Sequence, residues 1–306
     1  MKVKRFRSSE GNVEKYVFEF KDAIAEAVLY KYDTYTKRTV MCVSVQSGCP
    51  VGCEFCGTGK HFLRNLSSNE IIKQVNYLVN YVQEKESIDS LNTRCEKFQI
   101  MFMSMGEPML NIDNVIRAIY KLNTTYTNAQ LLVSTVGIKD TNAINKLVTV
   151  SENIDQVGLQ FSIHRGYEKE RDQLIPFKNK LSLREIRDAG LYWHSKTGRQ
   201  VYLNYCVSTA NQSTGELDRI KDLFSSFAFC FTFSVICSSD ENMRGKGIEQ
   251  LENIQKISDG FVKDGYNVRV FNPEGQDDIG GGCGQLWFVQ KWIKNYTEMK
   301  EGKINV

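Results

Sequence analysis

Cys49, Cys53 and Cys56 stand together in the stretch SGCPVGCEFCGTGK, spaced C-x3-C-x2-C. Thiolates are soft ligands suited to iron–sulfur clusters or to zinc. Three this close can hold three corners of a cubane and leave the fourth iron without a protein ligand, the open position that substrate activation needs. A structural zinc site normally takes four ligands, often as two C-x2-C pairs. No second pair exists here, and His61 is the one nearby candidate. Gly48, Gly52, Gly57 and Gly59 let the backbone fold tightly around a metal.

Further along lie other residues able to bind or react. Met105-Gly106-Glu107-Pro108 offers a carboxylate in a turn, and Ser134-Thr135-Val136-Gly137 and Ser162-Ile163-His164 offer hydroxyls and an imidazole that can hydrogen-bond a ribose or a carboxylate. Cys283 sits between glycines in DDIGGGCGQL, where a flexible backbone could carry its sulfur into an active site. Cys42 lies seven residues before Cys49.

The elements that must position these residues follow from the hydrophobic pattern. Short apolar runs alternate with amphipathic stretches after about residue 38, the βα signature of a parallel sheet. The pattern predicts strands over 39–45, 98–104, 131–135, 156–162, 201–207 and 229–236. Helices are expected over 115–122, 141–150, 183–193, 215–224 and 248–264. An earlier one carries the stripe Ile71, Ile72, Val75, Leu78, Val79 and Val82, with Ser67 and Glu70 reading as a capping box at its start. Six such units fit an α/β fold built on a partial (β/α)6 barrel. A short N-terminal β extension (15–20 and 26–32, within a domain 1–38) precedes it; a strand over 267–271 and a closing helix follow, within a domain 39–306.

In a barrel of this kind the C-terminal strand ends face the ligand, so Glu107, Ser134, Ser162 and His164 are candidate contacts. On the first barrel strand, alternation sends Met41, Val43 and Val45 to the helices and Val40, Cys42 and Ser44 to the lumen. Nine cysteines in a reducing compartment point to metal or catalytic roles rather than disulfide scaffolding. A basic start without an apolar stretch behind it, and no apolar run of the roughly 18 residues a bilayer needs, predict a cytoplasmic protein. The net charge of +3 permits nucleic acid as a partner without demanding it. The basic residues at both ends read as solvated termini.

The C-x3-C-x2-C motif after the first barrel strand resembles the radical S-adenosylmethionine (SAM) signature. Taken with MGEPMLN, STVG, SIH and DDIGGGCGQL, it closely resembles the radical-SAM class A methyl synthases that methylate adenine carbon 2 or carbon 8 in ribosomal and transfer RNA. The resemblance runs from about Glu26 to Leu286. It implies a [4Fe–4S] cluster on Cys49, Cys53 and Cys56, and SAM bound with Gly106 and Glu107 at its methionyl ammonium and with Ser134, Ser162 and His164 nearby. It also implies two SAM per turnover. One methylates Cys283; the other is cleaved to a 5′-deoxyadenosyl radical that takes a hydrogen from that S-methyl group, and the resulting carbon radical adds to the base. Cys42 then resolves the protein–substrate thioether by pairing with Cys283, and Glu26 is the implied carboxylate handling protons at the base. RNA, an electron donor such as flavodoxin or ferredoxin, and a monomeric state are the implied partners and assembly.

Two departures bear on substrate recognition: the family's N-terminal helical RNA-binding domain does not fit ahead of Cys42, and an Asn-Pro segment gives way to Cys237-Ser-Ser-Asp-Glu-Asn242, where Ser238 or Asn242 could substitute. Cys95, Cys206, Cys230 and Cys237 fit no motif and read as structural. The competing readings are the same fold acting on another substrate, Cys283 as a hydrogen-atom donor without methyl transfer, and a zinc-stabilised nucleic-acid-binding module.

Overall fold

The computed structural model describes residues 1–235 and 251–271 and, in the C-terminal segment, 279–282, 285, 292, 295 and 298. The chain opens with three antiparallel strands, β1 (Lys2–Arg7), β2 (Val13–Glu19) and β3 (Ile24–Tyr32). The first parallel strand, β4 (Arg38–Val43), leads into a small hairpin of β5 (Gln46–Gly48) and β6 (Phe62–Asn65), with a short 3-10 turn at Gly57–Lys60 between its strands. Helices α1 (Ser68–Glu86) and α2 (Leu91–Arg94) return the chain to β7 (Lys97–Phe102). Then come α3 (Ile112–Thr125), β8 (Gln130–Thr135), α4 (Thr141–Asn153), β9 (Val157–Ser162), α5 (Glu168–Leu174) and α6 (Leu183–Thr197). The series ends with β10 (Val201–Val207), α7 (Thr214–Leu223), β11 (Phe229–Val235), α8 (Leu251–Lys263) and β12 (Val268–Phe271).

All but the hairpin strands join one ten-stranded sheet in the order β1-β2-β3-β4-β7-β8-β9-β10-β11-β12. From β4 onward every pairing is parallel, and the first three strands are an antiparallel meander attached to β4. The longer helices offer apolar stripes to the outer face. Ile71, Val75, Leu78, Val79 and Val82 of α1, with Val115, Ala118, Ile119 and Leu122 of α3, share one buried core with Met41, Val43, Ile100, Phe102, Leu131 and Val133. At the start of α1, Glu70 N–H donates to Ser67 Oγ (3.3 Å) and Ser67 N–H to Glu70 Oε2 (2.8 Å), the capping box that the sequence predicts.

The inner face carries a second, smaller core of Val13, Val28, Tyr30, Val40, Cys42, Met101 and Leu132, against which Tyr202, Phe271 and Ile279 pack. Residues from both ends of the sheet meet there, so the sheet is curled around a lumen. It does not close by hydrogen bonds, because β1 and β12 remain its two edges. The opening is bridged by side chains. The Tyr30 and Phe271 rings meet edge to face at 5.5 Å, Tyr30 Oη donates to Gly281 O (2.8 Å), and Lys15 Nζ donates to Gly280 O (3.3 Å).

All six predicted barrel strands are present within two residues at each end, and the predicted helices are present with ends that differ by up to four residues; the expected closing helix falls largely outside the described residues. Three features depart from the sequence reading. Residues 2–7 form β1, with Val3 and Phe6 turned to the cores while Lys2, Lys4, Arg5 and Arg7 stay exposed. The barrel strand β4 stops at Val43, and the chain after it enters the hairpin. Ser44 does not look into the lumen: its hydroxyl donates to Glu26 O (2.5 Å) and accepts from Glu26 N–H (3.1 Å), stitching β3 to the end of β4. Among the described residues no helix is long and apolar enough to cross a membrane.

Candidate active site

The three thiols are presented by the hairpin that follows β4. Gly48 (φ +79°) must be glycine, because a Cβ there would lie 2.0 Å from His61 O. That close approach lets Cys49 N–H donate to His61 O at 2.9 Å. Gly59 passes so near Gly52 that a Cβ would stand 2.7 Å from its Cα. Cys56 N–H donates to Cys53 O (3.0 Å), and Glu54 N–H donates to Leu174 O (2.9 Å), tying the loop to the end of α5. Cys49, Cys53 and Cys56 are thereby half-buried, free of disulfides, and turned into one cavity of about 430 Å³ within the sheet. Burial pushes the Cys49 thiol up to about 12, against one backbone N–H that favours the thiolate. No three Cys, His, Asp or Glu side chains among the described residues converge to grip a single ion. A cubane asks for a different geometry, one thiolate on each of three irons, and three separated soft donors around one cavity fit it. His61 engages Cys49 through its main-chain oxygen.

Glu107 lies at the same rim, 3% exposed and lining the cavity. Its carboxylate accepts from Thr135 Oγ1 (2.5 Å) and Met109 N–H (3.0 Å) at Oε1 and from Val136 N–H (2.9 Å) at Oε2. Burial raises its pKa and these three donors oppose the rise. Most of its acceptor capacity is thus spent joining the β7 loop to the end of β8, which leaves Oε2 the freer oxygen for a ligand cation. Gly106, also lining the cavity, has φ +100° and no room for a Cβ beside Gln46 (2.6 Å). Gln46, which sequence reasoning missed, accepts from Glu107 N–H (2.8 Å) and donates to Asn65 Oδ1 (2.7 Å), coupling the cysteine hairpin to the Glu107 turn. Asn111 reinforces that link through Nδ2, which donates to Val45 O (2.7 Å) and Leu66 O (2.8 Å).

Ser134, Ser162 and His164 all line the cavity, as expected. His164 adopts φ +58° and is 2% exposed; its Nδ1 accepts from Cys206 N–H at 3.1 Å, so the ring proton sits on Nε2. Burial, helped by the charge of Arg171, pushes its pKa down to about 3, and the ring is a neutral donor. Phe55 of the cysteine loop meets it edge to face at 5.1 Å. Gln160, Asn204, Thr232 and Ser234 complete a polar belt that the sequence reading did not name. Gln160 Nε2 donates to Ser134 Oγ (2.9 Å) and Ser234 Oγ to Asn204 Oδ1 (2.9 Å). A signal was present, since a parallel strand covered on both faces should read apolar throughout. Polar residues at alternate positions of β8–β11 mark the lumen side.

Cys42 lines the cavity from β4, with Met101 Sδ 4.0 Å from its sulfur. Glu26 is fully buried on the inner face of β3, on the side of Val28 and Tyr30, but does not itself line the cavity. Neither carboxylate oxygen has a hydrogen-bond partner, and Lys15 Nζ is 4.0 Å from Oε2. Burial pushes its pKa up to about 8, with Lys15 pulling the other way. Cys283 lies outside the described residues, as do Cys237, Ser238 and Asn242; Gly281 and Gly282 line the cavity. Cys95 and Cys206 are buried, and burial pushes Cys230 up to about 12; none of the three lines the main cavity, as expected of structural thiols.

No family model matches the chain. Among solved structures it is similar to a radical SAM methyltransferase from Sphaerobacter thermophilus, with a TM-score of 0.75 and 25% identity over 92% of this chain and 79% of that one. Streptococcus suis SuiB bound to S-adenosylmethionine shares the fold at a TM-score of 0.52 and 12% identity, covering 76% of this chain and 49% of that one. A curled, mostly parallel sheet with three clustered cysteines at its C-terminal rim is the architecture of a radical-SAM enzyme, a class that works with a [4Fe–4S] cluster and SAM.

Curated relatives narrow the class. A probable dual-specificity RNA methyltransferase RlmN from Finegoldia magna is 30% identical over 287 residues, covering 93% of this chain and 77% of the relative. One of the same description from Petrotoga mobilis is 30% identical over 291 residues, with coverages of 93% and 77%. The chain belongs to the RlmN family of radical-SAM methyltransferases.

Proposed function

We propose that this protein methylates carbon 2 of an adenine in RNA. The observation that carries the reading is the convergence of Cys49, Cys53, Cys56, Cys42, Glu107, His164 and Gly282 on one cavity of about 430 Å³. Bound there, a [4Fe–4S] cluster and SAM supply the one-electron chemistry that an electron-poor ring carbon requires, since such a carbon does not attack a methyl sulfonium.

The protein's own residues then have separable tasks. Cys49, Cys53 and Cys56 hold the cluster. Glu107 Oε2 takes an ammonium, and Gly106 lets the backbone come close to it. His164 donates through Nε2 without changing charge near neutral pH, and Ser134 and Ser162 bind hydroxyl or carboxylate groups. Glu26, whose pKa burial pushes up to about 8, keeps its proton-handling role from behind the cavity wall beside Lys15, since it does not itself line the cavity. Cys283 carries the methyl group, and Cys42 pairs with it to release the product. Both thiols are reduced before the next turnover. The enzyme works as a monomer in the cytoplasm with an electron donor of the flavodoxin or ferredoxin class.

The test incubates anaerobically reconstituted protein with total RNA, a reductant and methyl-labelled SAM, followed by nucleoside analysis. The expected product is labelled 2-methyladenosine, with deoxyadenosine released alongside. Deoxyadenosine without labelled RNA would reject the substrate assignment. Absence of both would reject the radical reading as well. Intact mass must also show a methyl gain that Cys283→Ser abolishes.

A further inference from the structure

Behind the cysteine loop stands a cation with no counter-ion of its own. Arg171 of α5 is 0% exposed, and among the described residues no carboxylate forms an ion pair with it. Its Nη1 donates to Leu181 O and its Nη2 to Val136 O, both at 2.7 Å, while Nε has no hydrogen-bond partner. The acids of the same helix are engaged elsewhere: Glu168 Oε1 accepts from Leu183 N–H (2.5 Å) and Asp172 Oδ1 from Lys180 Nζ (2.5 Å). Burial pulls the Arg171 pKa down to about 10, opposed by negative charge at Glu168, Asp172 and Cys53, so the guanidinium is charged at neutral pH. A buried charge held by neutral partners is costly, and a neutral amide could bridge two carbonyls at less cost.

The position of this charge gives the reason for it. The end of α5 packs against the cysteine loop: Glu54 N–H donates to Leu174 O (2.9 Å), and Pro176 lies 3.9 Å from where a Cβ on Gly52 would stand. On the other side, Val136 is gripped twice, its carbonyl oxygen by Arg171 and its N–H by Glu107 Oε2 (2.9 Å). After burial, the Arg171 charge is the second cause of the low His164 pKa. Cys53, Glu107, Val136 and His164 all line the cavity, and Arg171 does not. It stands behind the wall, its charge directed at the site and its atoms out of a ligand's reach.

We propose that Arg171 is an electrostatic positioning residue: its buried guanidinium offsets the negative charge of the Cys49, Cys53 and Cys56 thiolates and raises the reduction potential of the cluster they hold. Three thiolates make that assembly an anion and an added electron makes it more so, hence a fixed cation favours the reduced form. Salt does not screen a charge buried this deeply. The inference rests on the reading that these three cysteines hold the cluster.

The full chain, reconstituted anaerobically without SAM, is titrated through its one-electron reduction and followed by electron paramagnetic resonance, as parent, Arg171→Gln and Arg171→Lys. Both variants lose the paired bonds to Val136 O and Leu181 O; lysine alone keeps the charge. At a fixed potential the ratio of reduced to oxidised cluster should fall about tenfold in Arg171→Gln, a shift of about 59 mV to lower potential, and by much less in Arg171→Lys. A potential unchanged in Arg171→Gln overturns the proposal. So does an equal fall in both variants, which traces the effect to the lost hydrogen bonds, or a failure of Arg171→Lys to take up iron, which marks the guanidinium as a clamp of the fold. Iron uptake by Arg171→Lys and not by Arg171→Gln supports it, since charge separates the two. A parent that takes up no iron would instead overturn the reading of the three cysteines, and this inference with it.

Discussion

Glu107 accepts from three donors before any ligand arrives, so its first task is to hold the β7 loop against the end of β8. Removing a buried charged acceptor leaves those donors unpaired, at about 1–3 kcal/mol. Glu107→Ala should therefore lower the unfolding free energy by about that amount, read by denaturant titration, and abolish SAM cleavage; an unchanged stability would refute the clamp. His164 makes a pH prediction. Its folded pKa of about 3 lies below the ordinary value of 6.5, so the unfolded chain binds a proton that the native ring refuses. The stabilisation is full above pH 6.5 and is lost as pH falls from there toward 3. The parent should lose stability over that window faster than His164→Asn, measured as Tm against pH. Parallel curves would contradict a buried neutral ring.

At the scale of elements, the thiols depend on a hairpin whose chain crossing only glycine allows. Gly48→Ala forces a Cβ to within 2.0 Å of a carbonyl oxygen and strains a backbone at φ +79°. The variant should keep its far-ultraviolet circular dichroism and lose most of its reconstituted iron, because the ten-stranded sheet does not include the hairpin. Retention of the full iron content would show that the crossing is dispensable. Ser67→Ala is the matched comparison: losing the cap of α1 should lower stability by about 1 kcal/mol and leave iron binding alone. The elements themselves were legible because they are long and periodic, as in the stripe of α1. The hairpin and the short helices α2 and α5 were not, because a few residues carry no period to read. β1 was read as solvated chain for a related reason: its charges are exposed, and only its pairing to β2 makes it a strand.

For the whole molecule, the lumen is enclosed by a sheet that does not close on itself. Tyr30 and Lys15 hold the C-terminal segment at Gly280 and Gly281 across the gap. Tyr30→Phe keeps the ring against Phe271 and removes one hydrogen bond, worth about 1 kcal/mol. Amide exchange around residues 279–282 should then quicken while β4 and β7 are unchanged; uniform quickening would mean that the bond supports the entire fold.

Residue order alone determined the parallel βα succession, the helix-facing side of β4 and the three clustered thiols, because periodicity and short spacings are local properties. It also carried Gly106, Glu107, Ser134, Ser162 and His164 as strand-end candidates. Only the tertiary structure decided that Glu107 is a clamp, that Ser44 binds β3 instead of facing the lumen, and that Glu26 is buried beside Lys15 with no hydrogen bond to its oxygens. Burial and charge proximity arise from curling the sheet, and no window along the chain contains them.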